Sequence, residues 1–423
     1  MTDHIMFQPD LARQLQTCIH CGLCLPSCPT YMVTGREADS PRGRLVLMNS
    51  VDRQPWSDLS GHFAHIDRCL GCLACQTACP SGVPYGSLLE QVRSFQRREA
   101  APLKMSSRII LRWTTTPVLR RRLTRLLLWV QKLRLDRLAV RLRLLPRSMR
   151  MQLAGLPQLP AKSFSAAAEQ RFESCHPEGR RRDTVALLTG CVMDSWFKEV
   201  HAATVRVLQW NGYTVIVPAS QQCCGALHAH AGLDTNTNAG GAQVGDMSAF
   251  SQIGAAAIIV NSAGCGAHLK HAPPADGLPP VVDAAEWLVD NGLLPPAHKL
   301  PEKVTYDAPC HLYHAQNIVR QPEALLQAAC DNLVPLPETE VCCGSAGLYS
   351  LTEPDLSRQI LERKLAILNK VDAEVVATAN PGCQMQLQGG LKLDGQQRRV
   401  RHTVELLDEA YSLDETYRRA FGK

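Results

Sequence analysis

An α+β, multidomain fold is predicted for this 423-residue chain: a small helical N-terminal region, a basic helical linker and two tandem α/β repeats. Three observations predict it. Two identical cysteine runs occupy the first eighty residues, a concentrated basic stretch follows, and the second half carries a cysteine pattern written twice. The boundaries fall at 1–100, 101–182, 183–300 and 301–423. Length alone asks for two to four domains. Hydrophobic content of 45% and charged content of 20% are ordinary for a water-soluble chain.

The first region writes C-x-x-C-x-x-C-x-x-x-C-P as Cys18, Cys21, Cys24, Cys28, Pro29, and again as Cys69, Cys72, Cys75, Cys79, Pro80. Three thiolates at two-residue intervals wrap one corner of an iron–sulfide cube, and the fourth reaches a second cube. This is the bacterial-ferredoxin signature for a pair of 4Fe-4S clusters. Because the last cysteine of such a run serves the other cluster, the ligand sets cross. Cys18, Cys21 and Cys24 take Cys79; Cys69, Cys72 and Cys75 take Cys28. Zinc expects paired C-x-x-C units instead, and disulfides expect an oxidising compartment. The pattern points to electron transfer. Between the runs, Ser40-Pro41 reads as an N-cap with proline at the first helical position, opening a helix to about Val51.

The opening MTDHIMFQPD carries no apolar signal region, and no stretch approaches the eighteen apolar residues of a membrane span. A cytoplasmic protein is expected, one in which eighteen cysteines serve metal ligation.

The linker is where the charge lies. The net charge is +6, yet residues 104–150 hold fourteen Lys/Arg against Asp136 alone, a local +13 that leaves −7 elsewhere. Leu119, Leu123, Leu126, Val130, Leu133, Val140 and Leu144 recur at three- and four-residue steps, broken by Arg137, with arginines filling the remainder. An amphipathic helix this basic suits an anionic membrane surface, the inner face of the cell membrane, as a peripheral contact. Packing on its own domains or on an acidic subunit is the equal alternative. Nucleic acid is not expected, since no recognition fold or stacking aromatics accompany the charge.

The two repeats follow. Cys191 is separated by 31 residues from Cys223-Cys224-Gly225, then comes Cys265; Cys310 is separated by 31 residues from Cys342-Cys343-Gly344, then comes Cys383. The landmarks recur at offsets of 119, 119 and 118, which marks a duplication. Short apolar runs precede the cysteines: TVALLTGC, YTVIVP and AAIIVNSAGC, answered by KVTYDAPC, LVPLP and EVVATANPGC. These read as strands, and the stretches 196–210 and 355–370 as amphipathic helices. The cysteines thus stand at the carboxyl ends of parallel strands, where open sheets bind ligands. Four sulfurs of each repeat are expected near one crevice. His268, His311 and His314, beside these cysteines, read as hydrogen-bonding residues, and Cys175 and Cys330 as plain thiols.

No G-x-G-x-x-G after a strand, P-loop or G-x-S-x-G is present. Two-electron substrate chemistry needs a hydride acceptor such as a flavin or nicotinamide, and no flavin or NAD site is expected on this chain. Catalytic residues are not identifiable.

The repeats resemble the cysteine-rich CCG domain of heterodisulfide reductase-like proteins, whose motif ends in C-x-x-C. Ser262 and Asn380 stand where that pair would begin, so each site keeps four cysteines: Cys191, Cys223, Cys224, Cys265, and Cys310, Cys342, Cys343, Cys383. A third iron–sulfur centre in at least one of them is the favoured reading, with zinc or a bare thiol set as alternatives. CIHCGLCLPSCPTY at 18–31, SPRGRL at 40–45 and HIDRCLGCLACQTACPSGVPY at 65–85 resemble the iron–sulfur subunits of glycolate oxidases. Related are the C subunit of anaerobic glycerol-3-phosphate dehydrogenase and heterodisulfide reductase D subunits. The resemblance implies partner FAD dehydrogenase subunits that oxidise glycolate or a related 2-hydroxy acid, with electrons passing through this chain to a quinone or other membrane acceptor. It implies no substrate oxidation by this chain alone. The alternatives are an iron–sulfur subunit of a glycerol-3-phosphate or lactate dehydrogenase, or a heterodisulfide reductase-like enzyme with catalysis at a CCG site.

Overall fold

Alternating strands and helices in the second half build two parallel sheets in the computed structural model, which describes residues 9–51, 60–165, 168–233, 244–272 and 277–422. Residues 1–8, which carry part of the N-terminal reading, lie outside these. The strands are β1 (Gln170–Phe172), β2 (Thr184–Leu187), β3 (Thr214–Val217), β4 (Ile258–Val260), β5 (Val281–Asp283), β6 (Leu300–Tyr306), β7 (Cys330–Val334), β8 (Val375–Ala377) and β9 (Arg399–Arg401). The first sheet has the order β1-β3-β2-β4-β5 and the second β7-β6-β8-β9. All pairings are parallel except β1 on β3, where Arg171 faces Ile216. β1 comes from residues 101–182 and covers the edge of the first repeat's sheet.

The strands are short because they are buried on both faces. TVIV of β3, IIV of β4 and VVA of β8 are buried at every position, the signature of a parallel sheet covered by helices. A shared core joins the repeats: Val185, Val215 and Ile259 of the first belong to one cluster with Val304, Val375 and Leu407 of the second. Arg206 on the Lys198–Trp210 helix grips Asp408 with bonds of 3.0 and 2.7 Å. Even the capping is duplicated. Asp283 with Glu286, and His402 with Glu405 at an offset of 119, each form a capping box after the sheet's last strand.

The N-terminal region is helical: Pro29–Thr34, Pro41–Val51, Ser60–Asp67, Ala74–Thr77 and Tyr85–Phe95. The Ser40 hydroxyl accepts from the Gly43 amide at 3.0 Å, so the expected N-cap before Pro41 is formed.

The linker departs from a single amphipathic helix. It forms four, Met105–Thr115, Pro117–Lys132, Leu135–Arg141 and Arg147–Gly155, with left-handed residues Arg134 (φ 57°) and Arg143 (φ 54°) between the last three. The last of them crosses the Pro381–Leu393 helix at closest range. A Cβ on Gly155 would lie 2.1 Å from the Met385 carbonyl oxygen, and one on Gly389 2.2 Å from that of Met151. No described helix is long and apolar enough to cross a membrane.

Candidate functional site

The eight N-terminal thiols are presented by two similarly shaped loops. His20 (φ 56°) and Gly22 (φ 83°) in the first run correspond to Gly71 (φ 68°) and Leu73 (φ 62°) in the second. Left-handed backbone at a histidine and a leucine is a conformation these residues adopt only under constraint. It bends the two C-x-x-C-x-x-C segments at equivalent positions. Cys18, Cys21, Cys24 and, from the other run, Cys75 and Cys79 line one hollow together with Leu45 and Tyr85. Among the described residues no three His, Cys, Asp or Glu side chains converge on a point that one metal ion would fill. A hollow lined by several thiols suits a polynuclear cluster, whose irons each take one thiolate.

The remaining four thiols lie deeper. Cys28, Cys69, Cys72 and Cys75 are all buried, whereas Cys21 is exposed. Two arginines serve this inner set. Arg44, 1% exposed, donates from Nε to the His65 carbonyl at 2.8 Å and from both Nη atoms to Thr30 Oγ1 at 3.1 Å, and reaches Cys28 Sγ at 3.9 Å. It pairs with buried Asp39 at 3.7 Å. Arg93 donates to the Cys69 carbonyl at 2.6 Å and the His230 carbonyl at 2.9 Å, tying the second run to the first repeat. Burial pushes the Cys69 thiol up, but the Arg44 and Arg93 guanidiniums together with the Gly71 amide and the Tyr85 hydroxyl hold it below its usual range. Burial pushes Cys72 and Cys75 well up. Neither arginine was identified from the sequence; SPRGRL contained Arg44, but nothing marked it as buried.

In each repeat the four thiols are neighbours in the same order. Cys191 meets Cys223, Cys223 meets Cys224 and Cys224 meets Cys265; Cys310 meets Cys342, Cys342 meets Cys343 and Cys343 meets Cys383. The strand-end placement expected from the apolar runs therefore gathers both sets. The residues at the departed motif positions each stand by the cysteine that is kept: Ser262 lies beside Cys265 and helps lower its thiol, and Asn380 Nδ2 donates to Cys383 Sγ at 3.4 Å. Asn380 also accepts from the Gly264 amide at 3.4 Å, so one amide group spans from one repeat's site to the other's. Asn380→Ala should cost about 1–2 kcal/mol of stability, from two lost bonds. It should also move the potential of any cluster in the second site to more negative values, because a donor to sulfur is gone. Denaturation and potentiometric titration of the anaerobic protein check both.

The sites abut. Cys72 of the second run shares a small apolar cluster with Cys342, Tyr349 and Ile360, with Cys310 packed against it. The His311 ring donates from Nε2 to the Gly71 carbonyl at 2.9 Å, and His314 Nδ1 meets Thr77 Oγ1 at 3.0 Å. These histidines are bonded to the second run, the hydrogen-bonding role expected of them. Cys330 is buried at the start of β7. Buried Lys364 pairs with Asp307 at 2.8 Å beneath the second repeat's site, a pair that no sequence pattern marks.

Residues 14–83 match the family described as a 4Fe-4S dicluster domain, and residues 185–270 and 304–388 match the family described as a cysteine-rich domain, CCG. The chain is 34% identical to a probable glycolate oxidase iron-sulfur subunit of Bacillus subtilis, with 94% of each chain covered. It is 31% identical to the glycolate oxidase iron-sulfur subunit of Escherichia coli, again with 94% of each covered. It is 26% identical to a CoM/CoB fumarate reductase polypeptide of Methanothermobacter marburgensis, over 95% of this chain and 73% of that one.

Proposed function

The chain belongs to the family of glycolate oxidase iron–sulfur subunits, and on that premise we propose that it conducts electrons from flavin subunits to a membrane acceptor. It is the iron–sulfur subunit of a multi-subunit oxidoreductase. Glycolate, or a related 2-hydroxy acid, is oxidised to the 2-oxo acid on FAD-bearing partners. When bound, the clusters supply one-electron carriers between that flavin and a quinone or other acceptor at the inner face of the cell membrane.

The observation that carries this reading is the hollow whose wall mixes Cys18, Cys21 and Cys24 with Cys79, and with the more deeply buried Cys75, of the other run. It supports crossed ligand sets, with the first cluster on those four thiols and the second on Cys69, Cys72, Cys75 and Cys28. A third centre belongs to Cys310, Cys342, Cys343 and Cys383, because that set adjoins Cys72. Cys191, Cys223, Cys224 and Cys265 form the far site. The residues grade from outside to inside. Cys21 is exposed and flanked by Ile19 and Leu23, apolar side chains 69% and 59% exposed, and this rim is the docking face for the flavin subunit. Arg44 and Arg93 neutralise the inner thiolates and exclude water from them.

Iron and acid-labile sulfide in the anaerobically purified chain test the reading. About eight irons fits the two N-terminal clusters alone, and more requires a loaded repeat. Absence of labile sulfide sinks the cluster assignment. Glycolate oxidation by the purified chain with no flavoprotein present sinks the subunit assignment.

A further inference from the structure

The Pro117–Lys132 helix fully buries polar side chains and leaves large apolar ones exposed. Its buried side chains are Arg120 and Thr124. Arg120 donates to Ser195 Oγ at 2.9 Å and to the Thr114 and Thr115 carbonyls at 3.2 Å, and Thr124 Oγ1 accepts from Trp196 Nε1 at 3.0 Å. The polar stripe thus docks on the Val192–Trp196 helix, which begins just after Cys191. Leu126, Trp129 and Leu133 face out, each at least 60% exposed, while Leu123, Leu127 and Leu128 are half-buried. The next helix, Leu135–Arg141, buries no residue at all, and Leu138, Leu142 and Leu144 are exposed along and beyond it. Exposed arginines, among them Arg122, Arg125, Arg134 and Arg141, stand between these leucines.

From this face we infer that residues 118–144 bind an anionic phospholipid surface. An amphipathic helix normally turns its apolar side into its own protein. Here the fully buried side chains are Arg120 and Thr124, and Leu126, Trp129 and Leu133 are left facing outward among exposed arginines. Within residues 118–144, eight exposed Lys/Arg stand against Asp136 alone, and this charge complements anionic headgroups. The leucines are interleaved with arginines rather than gathered into a dry patch, which an interface between water and acyl chains accommodates: long arginine stems lie along the apolar layer while their heads reach phosphate. Trp129, with Lys132 Nζ 5.8 Å from its ring centre, has the apolar body and polar edge found at such boundaries. The inference deepens the membrane-acceptor reading above, and its test reads lipid binding rather than electron delivery.

The full cluster-loaded chain is sedimented with phosphatidylcholine vesicles and with vesicles containing phosphatidylglycerol. Binding is expected to the anionic vesicles at low salt and to fall steeply with added salt. The variant carrying Trp129→Glu and Leu133→Glu should bind at least about tenfold more weakly, with unchanged circular dichroism, iron content and reduction by dithionite. Equal binding by variant and parent would overturn the inference, as would no binding to anionic vesicles at low salt. A parent that self-associates where the variant is monomeric, without lipid binding, would assign the face to a second copy instead. Retained iron and dithionite reduction alongside failed lipid binding leaves the electron-carrier reading standing; lost iron strikes that reading alone.

Discussion

Replacing Cys79 by serine is expected to remove the cluster of the first run and to spare that of the second. Cys79 is the last thiol of the second run, yet it lines the hollow with Cys18, Cys21 and Cys24. The iron content of the N-terminal region should fall from about eight to about four per chain. The surviving paramagnetic signal should match that of Cys21→Ser and differ from that of Cys72→Ser. If Cys79→Ser instead matched Cys72→Ser, each run would hold its own cluster and the crossed assignment would fail. Cys28→Ser supplies the reciprocal comparison, because Cys28 lies buried with the other set. Its spectrum should pair with Cys72→Ser.

Arg44→Met is expected to destabilise the protein by about 3–5 kcal/mol, the usual outcome when one partner of a buried ion pair is removed. Asp39, 0% exposed, would be left with His65 at 2.8 Å and Arg68 at 3.7 Å, and Thr30 would lose its guanidinium donors. Methionine fills much of the volume, so the loss is electrostatic rather than a cavity. Removal of a cation beside Cys28 and Cys69 also makes an added electron less favourable, so the inner cluster's potential should become more negative. Arg44→Lys keeps the charge but not the fork, and should lie between the two in stability while staying near the parent in potential. Chemical denaturation and redox titration of the three proteins check this. A parent-like denaturation midpoint in Arg44→Met would show that the pair contributes nothing.

The sequence was informative wherever function fixes a spacing. The two cysteine runs, the offset of 119 and the apolar strings before Cys191, Cys265 and Cys310 led directly to gathered thiols at strand ends. Those features depend on local chain geometry, which a linear pattern records. Where packing decides, the pattern was silent or misleading. Leu119, Leu126, Leu133 and Leu144 have helical spacing, but periodicity gives a face without saying which side the protein buries. Arg120 resembles its neighbours Arg121 and Arg122 in the text, and what sets it apart is tertiary: the Asp194 carboxylate at 3.6 Å, the Ser195 hydroxyl and the carbonyls of Thr114 and Thr115. Arg44, Arg93 and Lys364 are buried cations that composition assigns to the surface. Asn380 was visible as a departure from a motif, but its second bond, to Gly264 of the other repeat, is a product of tertiary structure.

The basic segment is anchored at both ends in different halves of the molecule. Arg120 fastens it beside Cys191, and Gly155 presses into the helix that carries Cys383, with no room for even one methyl group at Gly155 or Gly389. It is therefore a brace rather than a tether, spanning the duplicated halves from outside. A graft of this stretch from another member would have to bring both anchor points with it, or the halves would be held at the wrong separation.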